Sequence, residues 1–538
     1  MSLTKVSYSM ISGAPVNVDD FGADPTGVAD STAALQAMFD SVPSVIVFTP
    51  GATYKTGVLE IKGSCHIIGN NATLNGSALG LFNCKTPCDR VWIEGFNVTW
   101  VSGTGTLGRQ FFWNGSNAAG STSFGAVTAY PITDLRIFDN NIGSAKVECY
   151  GLSTESRVTG NRWEHGNTVA IAPAYLYIER GTTDNDGGPV WVQNNFFKVY
   201  PPATPGAAIV KITGGVTDAH LTDNYVFNRT PASAAQFNVF TGAHKMRFTN
   251  NTLRNCQLHR KQTKGSLPVE PTNYQYDYVG GNLFELESGF DELYAIYYIG
   301  NLGTIANNQI KIRNSAAACV AIYLDQSDVD AGFGTSGIVA TVVSNNMIDL
   351  RAAHPSSAGI RITTASAVVG AGARLLTING NIQVAGGFMV QGGSQTYSSI
   401  YGNVWGQSSG SLGSGINAGQ ANNIAIANVF DSDIPFFTGN SQGNAATLSI
   451  PTLAAGATPD VSVGNVFFVN SGTPITDFTG AYIGKQITLF VAGNTTIVNG
   501  TNMKLNGNVD FAMDNFGDSL TLVKTTSTRW NEVSRSNQ

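Results

Sequence analysis

Residues 246–253 read MRFTNNTL. Alternating apolar residues lead to a polar pair ending in Asn, and a second alternating apolar run follows. The same phrase stands earlier as LRIFDNNI (135–142), SRVTGNRW (156–163), VWVQNNFF (190–197) and HLTDNYVF (220–227). It returns as YVGGNLFEL (278–286), GTIANNQIKI (303–312), VVSNNMIDL (342–350), LLTINGNIQV (375–384), SIYGNVW (399–405) and IAIANVF (424–430). The key residues are Asn141, Asn161, Asn195, Asn224, Asn251, Asn282, Asn308, Asn346, Asn381, Asn403 and Asn428. Their spacing averages about 29 residues, the period of a solenoid.

Within each phrase the apolar runs have period 2 and are separated by Gly, Asn and Ser, so they are strands and turns. Helical solenoids are thereby excluded. The expected fold is all-β: a right-handed parallel β-helix whose coils stack on one another. Asn suits the recurring bend because it tolerates a left-handed backbone, and its amide can bond to the backbone or to the Asn of the next coil. CHIIGNNATL (65–74) and VWIEGFNVTW (91–100) are the first coils.

The open end of such a stack needs a cap. DSTAALQAMFDSV (30–42) supplies one, with Asp30 or Ser31 as N-cap and apolar residues at 35, 38 and 39 of a short helix. After about residue 440 the Asn phrase stops. The expected division is an N-terminal peptide (1–15), the β-helix with its capping helix (16–440), and a β-sandwich-like domain serving assembly (441–538).

Of the 538 residues only 12% are Asp, Glu, Lys or Arg, whereas 42% are hydrophobic, with 28 Phe, 18 Tyr and 7 Trp. Such a chain folds around a large core, and disorder is excluded. The net charge is −6, from 30 bases and 36 acids, so no positive field gathers nucleic acid. Met1 to Gly13 carries one Lys and no apolar run of signal-peptide length, and no membrane-spanning stretch follows. A soluble product of the cytoplasm is expected. The six cysteines read as buried thiols, and no cluster has the spacing of metal ligands; neither metal nor cofactor is implied. A surface poor in charge and rich in Gly, Asn, Ser and aromatic residues suits sugars, whose hydroxyls take amide hydrogen bonds and whose rings stack on Tyr and Trp.

VNVDDFGADPTGVADSTAALQAM (16–38) resembles the opening motif of pectate-lyase-like β-helix proteins, particularly the tailspikes and capsule depolymerases of bacteriophages. TKVSYSMISGA (4–14) and LTLVKTTSTRWNEVSRS (520–536) resemble the two edges of many such spikes. The resemblance implies a homotrimer on the phage tail, made in the host cytoplasm, that binds and usually cleaves the bacterial surface polysaccharide. Because the motif starts at about residue 16, it also implies attachment through the N-terminal peptide to a tail adaptor or a second spike. The motif itself is structural and names no substrate.

Counting from the Asn gives side-chain direction. In NLFELE (282–287), Phe284 and Leu286 point in and Glu285 and Glu287 out. Arg254, Glu285, Lys311 and Asp349 then form an alternating ion ladder on successive coils, and Glu287 lies beside two arginines. A second outward column comes from IVKIT (209–213), FNVFT (237–241), IYYIG (296–300), IYLDQ (322–326) and IRITT (360–364). It carries Lys211, Asn238, Tyr297, Tyr323 and Arg361, with Asp325 just beyond. Stacked tyrosines flanked by bases suit an elongated sugar, or the packing of a neighbouring subunit. One coil has a long excursion, 255–276, holding His259, Arg260 and Lys261, and SGFDEL (288–293) adds Asp291 and Glu292 at the same corner. Long insertions on a rigid scaffold concentrate function, which places the groove over residues 254–361.

Glycoside hydrolysis needs two carboxyl groups flanking the bond. Asp291, Glu292, Glu287 and Asp325 are the expected catalytic set, with Asp328 in reserve and Tyr297, Tyr323, Arg361, His259, Arg260 and Lys261 binding substrate. Elimination at a uronic acid needs a base and cations for the carboxylate, and His259, Arg260, Lys261, Tyr297, Tyr323 and Arg361 offer these. Hydrolysis is preferred because the acids sit at definable strand ends. A binding fibre that does not cut is the third reading, since one fold hosts both roles.

Overall fold

A computed structural model describes residues 14–102, 109–115, 129–164, 174–179, 189–200, 207–214, 218–230, 235–241, 245–261, 276–289, 293–299, 303–325, 341–351, 353–363, 373–374, 376–385, 388–392, 395–396, 399–406, 416–417, 424–426, 429–430, 452–462, 464–470, 472–515 and 517–537. The chain divides into two compact units, 1–445 and 446–538.

The first unit is a parallel β-helix. One coil runs through Lys245–Thr249, Thr252–Arg254 and Gln257–Lys261, and the next through Tyr278–Gly280, Leu283–Leu286 and Tyr294–Ile299. Each strand pairs in parallel with its equivalents one coil before and after. The first strands of the coils form a fifteen-stranded sheet, the second a ten-stranded and a four-stranded sheet, and the third a thirteen-stranded sheet. Apolar residues align in inward columns: Val192, Leu221, Phe248, Val279, Ile305 and Val343 follow one another in register and are buried. Each such side chain contributes roughly 1.5–3 kcal/mol by leaving water.

The bend between the first and second sheets divides its work between two residues. The left-handed conformation is held by the residue before the ladder Asn: Asp139, Gly160, Asn194, Asp223, Asn250, Gly281, Asn307, Asn345, Gly380 and Gly402 have φ between 54° and 70°. Gly281 is also needed for space, since a Cβ there would meet Asn250 Oδ1 at 2.6 Å. The following Asn turns inward and is buried. Asn251 Oδ1 accepts from both the backbone N–H and the Nδ2 of Asn224, each at 2.9 Å. Asn251 in turn donates through both groups to Asn282 Oδ1, at 2.8 and 3.0 Å, and through Nδ2 to Leu221 O. The ladder starts at Asn140, not Asn141: Asn140 is buried and bonded to Asn161, whereas Asn141 is exposed. In DNNI the register is one residue earlier because Asp139 takes the left-handed position. Asn428 lies outside the described residues.

The opening motif builds the cap. Asp24 accepts from the N–H groups of Thr26, Val28 and Ala29 and from the Thr26 hydroxyl, which holds its carboxyl down at about 2. The helix spans Thr32–Asp40 and buries Leu35, Met38 and Phe39, as its pattern requires. Ser31 occupies the cap position, but its hydroxyl accepts from Asp24 N; Asp30 binds the Thr32 N–H instead, at 2.8 Å. All six cysteines are buried free thiols. Among the described residues no helix is long and apolar enough to cross a membrane.

The second unit has a mixed five-stranded sheet, ordered Val466–Val469, Gln486–Val491, Ser519–Lys524, Trp530–Ser536 and Met503–Lys504, and a two-stranded pair, Thr495–Ile497 with Phe511–Met513. Phe467, Phe478, Leu520 and Trp530 lie in its own apolar core.

Candidate functional site

The third sheet presents one outward column in strict register: Tyr177, Lys211, Asn238, His259, Tyr297, Tyr323 and Arg361. Its flanking residues Ile296, Tyr298, Ile322 and Leu324 are buried, which alternation turns inward. The His259 ring meets Tyr297 edge-on at 4.4 Å, and His259 Nδ1 lies 3.1 Å from Gln236 Oε1. Tyr297 and Tyr323 are 5.2 Å apart, and Tyr294 stacks on Tyr323 at 4.6 Å and 25°. Burial raises the Tyr294 hydroxyl above its ordinary pKa. The Tyr297 hydroxyl donates to Asp325 Oδ2, and Asp325 is 5% exposed. Tyr323 to Arg361 is the next step of the column, and Asp325 pairs in register with Thr363. Three aromatic rings, a half-buried imidazole, a buried carboxylate and a guanidinium thus lie along four successive coils.

The expected excursion at 255–276 is shorter than its sequence suggests. Gln257–Lys261 is a strand of the third sheet, so His259 belongs to the column itself. Arg260 is a correction: it points into the β-helix, fully buried, and cannot meet a substrate. Its Nε bonds Asp277 Oδ2 at 2.8 Å and its Nη1 donates to Val239 O. Asp277 also accepts from Met246 N at 2.9 Å and from the Tyr298 hydroxyl at 3.2 Å. That carboxylate is what makes an inward arginine tolerable. Asp291, Glu292, Asp328 and the side chain of Lys261 lie outside the described residues.

Glu287 sits at the corner after the second sheet and is occupied there. Asn255 Nδ2 donates to Oε2 at 3.1 Å, Glu287 N donates to Asn255 Oδ1 at 2.8 Å, and Arg254 reaches Oε1 at 2.9 Å. The Asn255 hydrogen bond, with help from Arg254, keeps this carboxyl below its ordinary pKa against the opposing effect of burial. Its geometry is that of a staple between coils. Glu285 lies between Arg254 (3.2 Å) and Lys311 (3.3 Å), but Asp349 turns to Arg351, two residues on in the following turn, at 2.7 Å. The adjacent arginine satisfies the carboxylate with less chain ordering than a cross-coil pair.

The column continues where sequence reading stopped. Glu148 precedes Tyr177 in register, and it is buried between Lys146 Nζ and Gln110 Nε2, each at 2.6 Å. The Tyr177 hydroxyl donates to Glu179, and Lys211 Nζ stands 5.6 Å from the centre of the Tyr177 ring. KVECY (146–150) and YLYIE (175–179) alternate polar and apolar residues like the later third strands, and that was the available signal. Among the described residues no group of three His, Cys, Asp or Glu is placed to hold a metal ion.

The fold and column define a parallel β-helix with a long polar and aromatic face. No protein-family model and no curated protein matches the chain. Among solved structures it is similar to tailspike protein 3 of bacteriophage CBA120, at 9% identity over 97% of this chain and 69% of that one, with a TM-score of 0.37. It is also similar to a mutant tailspike protein of E. coli bacteriophage HK620 in complex with pentasaccharide, at 13% identity over 95% and 84%, TM-score 0.36. A third is the family 28 exopolygalacturonase of Yersinia enterocolitica, at 13% identity over 80% and 78%, TM-score 0.28. The β-helix assignment rests on the strand pairing above, and the site is argued from this chain's own residues.

Proposed function

We propose that this protein is a phage tailspike that binds a bacterial surface polysaccharide along the third sheet and cleaves it internally. The observation that carries the reading is the column His259–Tyr297–Tyr323–Arg361, with Tyr294 stacked beside it and Asp325 within it. Coils repeat at ~4.8 Å, close to the rise of one sugar unit in an extended chain, so successive side chains address successive sugars. Aromatic faces take the apolar faces of the rings, and Arg361 and His259 take hydroxyls or carboxylates.

For cleavage, hydrolysis uses Asp325 with a second carboxyl group from Asp291 or Glu292. Two carboxyls about 5–5.5 Å apart retain the anomeric configuration, and 6.5–9.5 Å invert it. The Tyr297 hydroxyl donates to Asp325 and so orients it, and the carboxyl group serves there as one member of the catalytic pair. Elimination at a uronate is a second reading, favoured by that same Tyr297–Asp325 pair beside His259 and Arg361: tyrosine supplies the proton-transfer group, and the cations take the carboxylate charge. Assembly as a trimer through residues 446–538, and attachment to a tail adaptor or second spike through the N-terminal peptide, complete the proposal.

The test is digestion of a panel of capsular polysaccharides, with mass spectrometry of the products. Oligosaccharides carrying an added water support hydrolysis, and unsaturated uronates absorbing near 235 nm (an approximate position for that chromophore) support elimination. Adsorption without products on every strain sinks catalysis and leaves a binding fibre.

A further inference from the structure

We infer that Cys84 and Cys88 are a modification site: in the folded protein they close to an intramolecular disulfide when the chain meets a soluble disulfide. This goes beyond the polysaccharide reading and does not depend on it. Cys84 ends the third-sheet strand Gly80–Cys84, and Cys88 opens the first-sheet strand Cys88–Glu94 of the next coil. CKTPC (84–88) is therefore the corner between two coils. The Sγ atoms stand 3.5 Å apart, and both thiols donate to Thr86 O, at 3.2 and 3.4 Å. A bond of about 2.05 Å needs the sulfurs to close by roughly 1.5 Å, which small side-chain rotations supply. The strands themselves need not move: Cys84 keeps its register with Ile61, and Cys88 with Ile132.

The two sulfurs divide the work of thiol–disulfide exchange. Cys88 is the outer one, 5% exposed against 0% for Cys84, and it follows a turn in which Lys85 and Pro87 are exposed. Local opening of that turn admits the oxidant. Hydrogen bonds from the Cys84 thiol and the Thr86 hydroxyl hold the Cys88 thiol below its ordinary pKa against the effect of burial, whereas the same sulfur contact and burial push Cys84 up. Cys88 is thus the attacking thiolate. It attacks one sulfur of the soluble disulfide, which leaves a mixed disulfide on Cys88 and releases one thiol. Cys84 then gives up its proton and attacks Cys88 Sγ, forming the protein disulfide and releasing the second thiol. Two protein thiols are oxidised, one soluble disulfide is reduced, and the two protons end on the released thiols. Cys65 is buried in the same core and is the competing partner that a test must separate.

The experiment incubates the folded full chain with oxidised glutathione at about pH 8, quenches with acid, alkylates the remaining thiols in denaturant and digests with trypsin. Trypsin cuts after Lys62, Lys85 and Arg90, so the disulfide joins peptide 63–85 to peptide 86–90. The expected result is that linked pair, two hydrogens lighter than the sum of its parts, with fragmentation placing the bond at Cys84. Two of the six cysteines should escape alkylation, and the circular dichroism should be unchanged. Cys65→Ala should give the same linked pair. Cys84→Ala should lose it and keep glutathione on Cys88; should that variant fail to fold, the wild-type map carries the test. Six alkylated cysteines, a lasting glutathione adduct in wild type, a bond from Cys65, or linkage that forms only in denaturant overturns the site.

Discussion

At the corner between the first and second sheets, successive coils repeat one residue: Asn195, Asn224, Asn251, Asn282, Asn308 and Asn346 each bond the next in the same way. On the third sheet the corresponding positions change from Lys211 to Asn238, His259, Tyr297, Tyr323 and Arg361. The first region is constrained by its own copies, because an amide that is both donor and acceptor can be stacked without limit. The second is bound by no such repeat. In a solenoid, the column in which identity is lost while register is kept is the place where an external ligand can set the residues.

The contrast is broken or sharpened by substitutions whose effects differ in kind. The largest loss of stability is expected inside the coil, at Asp277→Ala. It strands Arg260 in the core and should cost about 3–5 kcal/mol, read as a large fall in melting temperature or as insoluble protein. Adding Arg260→Met to that variant should recover much of the loss. Asn251→Ala should cost about 1–3 kcal/mol by leaving Asn224 and Leu221 with unsatisfied buried groups. Normal melting of this variant would show that the ladder is not what fixes the corner.

Tyr297→Phe reverses the pattern. It keeps the ring, removes the hydrogen bond to Asp325, and should lower cleavage by about tenfold or more with little change in melting. Glu285→Gln on the half-buried ladder should alter stability by less than about 1 kcal/mol, and a larger effect would contradict the reading of Arg254–Glu285–Lys311 as a weakly coupled surface ion row. At the cap, Asp24 is ordinarily half-protonated near 3.8 and is held at about 2 by its hydrogen bonds. A folded-state value below the unfolded one stabilises fully above pH 4, and this contribution is lost as pH falls through about 2. Melting curves of Asp24→Asn should therefore be less sensitive to pH than wild type across that window.

The repeat made the β-helix legible because burial on one side of each strand forces alternation, and alternation at a constant period admits few folds. The outward column at Lys211, Tyr297, Tyr323 and Arg361 was readable from the alternation within each third strand. Arg260 was not, because charge argues for solvent unless its partner is known, and Asp277 stands just before the first strand of the next coil. His259 was misplaced for a related reason: a basic run before a Gly- and Pro-containing segment reads as loop, although Leu258 and Arg260 both face inward. Glu148 and Glu179 went unnoticed because the Asn phrase gives no register for the third strands, which follow turns of unequal length. The positive φ was assigned to the ladder Asn when it belongs to its predecessor, since either residue of an Asn–Asn pair can adopt that conformation.

The central claim, that the Tyr297–Tyr323–Asp325 stretch of the third sheet cuts a surface polysaccharide, is met most directly by one paired digestion. Wild-type protein and Asp325→Asn, matched for secondary structure and melting, are incubated with the capsule that supports adsorption, and the products are sized by mass spectrometry. The account predicts a series of oligosaccharides from wild type and a loss of at least about a hundredfold in their rate of release with the variant. Equal release by Asp325→Asn would place the chemistry elsewhere on the molecule and contradict the claim.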